Sequence, residues 1–75
     1  MKYTLRQLEI FVAISRTASV SRAAEELSLS QSATSTALGE FEKQFDLQLF
    51  DRVGKSLRIN ETGQQLLPRA VELLD

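Results

Sequence analysis

The chain has 75 residues, 43% hydrophobic and 25% charged, the make-up of one small globular domain and not of a disordered chain. It contains no Cys and no His, which excludes disulfides, thiolate metal sites and the commonest general base. Its net charge is −1, from nine Lys and Arg against ten Asp and Glu, so any contact with a polyanion must rest on where the cations lie. No carboxylates sit at calcium-loop spacing, so no metal site is expected. The apolar runs are too short to span a bilayer, and Met1-Lys2-Tyr3-Thr4 carries no signal-peptide stretch; a cytoplasmic location is expected.

Helical signals dominate. Thr4 followed by Gln7 reads as a capping box. Leu5, Leu8, Phe11 and Val12 then recur at helical spacing, which predicts a helix over about 5–16. Thr17-Ala18-Ser19 breaks the pattern, and Ser19 is placed to cap a short helix over about 20–27 that buries Ala23, Ala24 and Leu27. Ser28-Leu29-Ser30 is a tight connection, and Ser30 is placed to cap a third helix over about 31–45. At 100° per residue, Leu38, Phe41 and Phe45 fall within about 40° of Thr34 and form a core stripe that includes it. Ser32, Thr36, Gly39 and Lys43 lie opposite, flanked by Gln31 and Ser35. A merely solvated helix more often carries Glu, Lys and Arg on such a face.

Leu57 and Ile59 alternate with Arg58 and Asn60 beyond Val53-Gly54-Lys55-Ser56, which predicts a short hairpin with a Gly-containing turn. Asn60 caps a last helix. Leu66, Leu67, Ala70, Val71, Leu73 and Leu74 give that helix an apolar arc of about 160°, wider than a terminal helix on so small a domain needs. Pro68 is expected to bend or weaken it. The expected fold is mainly α, a winged helix-turn-helix over 1–60 with a β-hairpin wing. Residues 61–75 are then the start of a linker or dimerisation helix that runs on in a longer parent protein.

Two helices joined by a three-residue turn, followed by a basic hairpin, suggest such a fold because a helix entering a major groove about 12 Å wide needs an outward face that permits close approach. At Leu5-Arg6-Gln7-Leu8, Ser21-Arg22-Ala23-Ala24-Glu25-Glu26-Leu27, Ser30-Gln31-Ser32-Ala33, Leu49-Phe50-Asp51-Arg52, Asn60-Glu61-Thr62-Gly63 and Leu67-Pro68 the chain resembles the DNA-binding domain of LysR-type transcriptional regulators. From Phe50 through Pro68 it is most similar to the branch that contains YeiE- and CbbR-like regulators. The resemblance implies a sequence-specific regulator whose small-molecule effector binds a separate C-terminal domain absent from this chain.

The resemblance also implies roles. Gln31 falls on a major-groove base contact, and its amide suits adenine. Ser32 stands where many relatives carry Pro and would contact backbone or base through its hydroxyl, and Ser35 matches a small hydroxyl contact. Thr36 stands where many relatives carry Arg, which puts the familiar site preference in doubt. Arg22 matches a phosphate-facing position. Arg52 matches a characteristic family position, either as a phosphate contact or as a structural partner of Asp51 or Glu42. Lys55 at the hairpin tip falls where relatives place a basic residue entering the minor groove, and Arg58 is a further cation of the same wing, 52–58.

Leu67, Val71 and Leu74 are the expected dimerisation residues. The implied partners are a second copy of the chain, giving a homodimer and, in the full-length protein, a possible tetramer, and double-stranded DNA bearing an interrupted palindrome. No cofactor is expected in this domain, no membrane partner, and no enzymatic activity. A winged helix used only for protein–protein contact is the alternative, which the low net charge favours slightly.

Overall fold

The computed structural model describes residues 3–75, so Met1 and Lys2 of the N-terminal reading lie outside the described residues. Three helices come first: α1 (Leu5–Thr17), α2 (Val20–Leu27) and α3 (Gln31–Phe45). A two-stranded antiparallel hairpin follows, β1 (Phe50–Val53) with β2 (Ser56–Ile59), and α4 (Glu61–Leu74) ends the chain.

Each helix starts where a side chain is placed to satisfy free backbone donors. The Thr4 hydroxyl accepts the Gln7 N–H at 3.0 Å while the Gln7 amide oxygen accepts the Thr4 N–H at 3.0 Å, closing the capping box. Ser19 accepts from Arg22 N–H, Ser30 from Ala33 N–H and Asn60 from Gly63 N–H. The first three helices end on residues in the left-handed region, Ala18, Ser28 and Asp46, with φ of 58°, 57° and 53°. Glycine is the usual occupant of such a cap, and an L-residue there costs roughly 1–2 kcal/mol.

Phe11 sits at the centre of the core, its ring centroid 5.6 Å from Phe41 of α3 and 5.7 Å from Phe50 of β1. Leu8, Ile10 and Ile14 of α1, Ala23 of α2, Leu49, Leu57 and Ala70 of α4 close around it. Leu5, read from the sequence as part of this stripe, is 64% exposed. It occupies the first helical position, ahead of the point where α1 enters the core, and Ile10 and Ile14 supply the burial instead. Thr34 is fully buried, and its hydroxyl donates to the Ser30 carbonyl at 2.8 Å, so its polar atom is satisfied inside the core.

The hairpin turns through Gly54 and Lys55, with Val53 paired to Ser56. Gly54 has φ of +61°, and no positive φ falls on Lys55, the pattern of a type II′ turn with Gly first. The outer edge of β2 is not free: Leu57 N–H donates to the Ala18 carbonyl at 3.1 Å, which pins the wing to the corner between α1 and α2. α4 runs unbroken through Pro68 to Leu74. It packs on the core through Ala70, with Leu66, Leu67 and Leu74 partly buried beside it, while Val71 and Leu73 are 41% and 55% exposed. No helix is long and apolar enough to cross a membrane among the described residues.

Candidate nucleic-acid interface

α2 and α3 meet across the three-residue turn Ser28–Ser30, and the core stripe of Thr34, Leu38 and Phe41 fixes the roll of α3 about its axis. With those residues inward, Gln31, Ser32, Ser35 and Thr36 are all exposed, as are Gly39 and Lys43. They form two ridges at four-residue spacing, Gln31–Ser35–Gly39–Lys43 and Ser32–Thr36–Glu40. The side chains of Gln31, Ser35 and Thr36 make no hydrogen bond to other described residues, and the Ser32 hydroxyl meets only that of Ser30, at 3.5 Å. Arg22 is exposed in the first turn of α2.

The wing does not present its cations on one face. Arg52 faces Leu57 across the hairpin and Arg58 faces Asp51, so the two arginines lie on opposite faces. Since Leu57 is buried, Arg52 is on the face turned toward the body and Arg58 on the outer one. Arg52 forms no ion pair with Asp51 or Glu42; the pairs among the described residues are Arg6–Glu9 and Arg16–Glu26. The Glu42 carboxylate is committed elsewhere, accepting the Leu49 N–H at 2.7 Å. Glu42 is thus a staple that holds the chain leaving α3. Arg16, joined to Glu26, has its pKa raised by the Glu26 hydrogen bond and charge, so it remains a cation tying α1 to α2.

An open cleft of about 600 Å³ separates α3 from the hairpin. Ser35, Gly39 and Lys43 line one wall, Gln48 and Arg52 the other, with Glu42 and Asp46 between. Thus Ser35 and Arg52, named separately from sequence, border one space. Lys43, placed on the outer face of α3 by its spacing but given no role there, belongs to it too. Lys55 stands exposed at the wing tip.

Two glycines have opposite surroundings. A Cβ on Gly63 would lie 2.5 Å from the Leu49 carbonyl oxygen and 2.6 Å from Ile59 Cγ1, so α4 reaches the hairpin only because this position lacks a side chain. A Cβ on Gly39 would meet nothing within 4 Å. Among the described residues, no contact therefore requires glycine at the centre of the α3 outer face.

Comparison with known proteins agrees with this geometry. The chain is 52% identical over all 75 residues to the uncharacterized HTH-type transcriptional regulator YeiE of Escherichia coli K12, of which it covers 26%. It is 46% identical over 71 residues, 95% of the chain, to the HTH-type transcriptional regulator CfxR of Cupriavidus necator, of which it covers 22%. It thus spans about a quarter of the length of these relatives. The BenM_DBD/benA site 1 DNA complex superposes with a TM-score of 0.90 at 28% identity, over 96% of this chain and 84% of that one. The model of the bacterial regulatory helix-turn-helix protein, lysR family, matches residues 5–64, and this mainly helical domain with its two-stranded wing belongs to that family of transcriptional regulators.

Proposed function

We propose that this chain binds double-stranded DNA sequence-specifically, with α3 in the major groove and the wing on the backbone and in the minor groove, as the reading head of a transcriptional regulator. The observation that carries this is the outer face of α3: Gln31, Ser32, Ser35 and Thr36 are exposed, held in one orientation by a buried stripe, and largely free of intramolecular hydrogen bonds. Side chains left with donors and acceptors to offer on a rigid helix are suited to base edges. Arg22, Arg52 and Lys55 are exposed cations flanking that face, suited to phosphates, and Arg58 is a further exposed cation on the outer face of the wing. The structural likeness to a BenM_DBD complex with DNA supports DNA binding by this fold.

In this reading α4 does two jobs. Of the expected dimerisation residues, Leu67 and Leu74 also pack on the domain beside Ala70, so Val71, joined by the exposed Leu73, carries most of the contact with a second subunit, and two copies read the two halves of an interrupted palindrome. In a protein of the relatives' length, the residues beyond this chain would carry a small-molecule effector site and further assembly contacts. The reading assigns the chain no enzymatic chemistry, since neither His nor Cys is present and no paired carboxylates mark a reaction centre. A DNA-binding regulator of this kind works in the cytoplasm.

Titration against cognate and scrambled duplexes at several salt concentrations tests the proposal. Affinity for both duplexes should fall with salt, by about 0.9 log units per log unit for each phosphate neutralised. Gln31→Ala should cost the cognate duplex about 1–3 kcal/mol and leave scrambled binding unchanged. Absence of any salt-dependent binding would make the fold a protein-contact module.

A further inference from the structure

Resting on the reading above, we propose that the cleft between α3 and the wing is the path of one phosphate strand, and that the Asp46 carboxylate on its border repels that strand and lowers affinity for every sequence alike. A duplex that takes α3 in its major groove and the wing in the neighbouring minor groove must pass the strand dividing those grooves between the two elements. The space between them is the cleft of about 600 Å³. Lys43 stands on its helix wall and Arg52 on its wing wall, both exposed and neither in an ion pair among the described residues. Between them lie two carboxylates, Glu42 and Asp46, so a phosphate passing there meets both signs of charge.

The two carboxylates differ in what they do for the fold. Glu42 accepts the Leu49 N–H at 2.7 Å. Asp46 works against the fold. It follows the last turn of α3, where the helix dipole already presents its negative end and a further negative charge is unfavourable. Its φ is 53°, a backbone that glycine enters at no steric cost. A local hydrogen bond of the side chain can draw an aspartate there, but the Asp46 carboxylate bonds to no other described residue and pairs with neither Lys43 nor Arg52. A residue that breaks local preference with no gain inside the domain points to a role outside it. Attraction to phosphate supplies nearly all of the affinity for non-cognate DNA, and a fixed like charge in the strand's path subtracts from it. One domain then lets go easily, and lasting occupancy depends on a second copy on the same duplex.

Binding of the 75-residue chain and its variants to a mixed-sequence duplex tests this. Asp46→Asn keeps the shape and removes the charge. It should tighten binding about threefold at low salt, the value of two unit charges about 7 Å apart in a water-like dielectric. The gain should shrink as salt rises, because the screening length falls from about 10 Å at 0.1 M to about 3 Å at 1 M. Glu72→Gln makes the same change in net charge on the exposed side of α4 and should alter binding far less. Asp46→Gly should resist urea better than Asp46→Asn and yet bind no more tightly than it. No gain from Asp46→Asn, an equal gain from Glu72→Gln, or a gain that follows stability and not charge would overturn this inference and leave DNA binding standing. No salt-dependent binding by the unmodified chain, with helical circular dichroism retained, would overturn the DNA-binding reading itself and this inference with it.

Discussion

The outer face of α3 and the junction where the hairpin meets α4 use similar residue types to opposite ends. At the junction every prominent polar side chain is consumed by the backbone. Glu42 takes the Leu49 N–H, the Gln48 amide donates to the Phe50 carbonyl at 2.9 Å, and the Asn60 amide donates to the Gln48 carbonyl at 2.7 Å. On α3 the amide of Gln31 and the hydroxyls of Ser35 and Thr36 are unspent among the described residues. Gln48 and Gln31 are the same residue, both exposed, and differ only in whether their hydrogen bonds are already made. What separates a reader of another molecule from a brace of its own fold is therefore the hydrogen-bond account, which residue type and exposure alone do not disclose.

The sharpest way to break this contrast is Gly63→Ala. The added Cβ falls 2.5 Å from a backbone carbonyl that cannot swing aside, so the junction must open. The expected loss is about 3 kcal/mol of stability, the upper end for overpacking, read by urea denaturation. Binding by the fraction that remains folded should be unchanged. Next comes Asn60→Ala, which removes both the α4 cap and the bond to the Gln48 carbonyl. It should destabilise by about 1–2 kcal/mol, again without altering which duplex is preferred. If its effect appeared in base preference and not in stability, the junction would be part of the reading surface.

Gly39→Ala should act on the other side of the contrast. A helix-interior Gly costs about 1 kcal/mol relative to Ala, so the variant should be more stable by up to that amount. Its affinity for cognate duplex should nonetheless fall. Improved stability with unchanged affinity would show that nothing approaches the helix there. The smallest effect is expected from Lys55→Ala, which should reduce the salt slope of binding by about one unit on every sequence and leave stability alone. An unchanged slope would remove the wing tip from the backbone contacts.

The reasons some of this was legible in the residues, and some not, are physical. Thr4, Ser19, Ser30 and Asn60 announce the four helix starts because capping is a contact over three residues, visible in a short window. Thr34 was readable as core because its period matched Leu38, Phe41 and Phe45. The Glu42 staple was not readable, because its partner is the backbone of Leu49, seven residues away, and any residue there would offer the same N–H. The crowding at Gly63 depends on Leu49 and Ile59, whose approach is set by the fold as a whole. The split of Arg52 and Arg58 follows from the register Arg52↔Leu57, which the positive run 52–58 conceals when counted as charge alone.

Ala18 joins two parts of the molecule. Its N–H closes the end of α1 on the Ile14 carbonyl at 2.8 Å, and its own carbonyl receives Leu57 of the wing. The second bond depends on the left-handed backbone at Ala18, which aims that carbonyl at the wing and which an alanine adopts at a cost. In the proposed binding mode the corner thus acts as a spacer between two arms, the tip of the wing and the first turns of α3. Ala18→Gly would relieve the backbone cost and also loosen the spacer, so a firmer fold need not be a more accurate gauge of the groove.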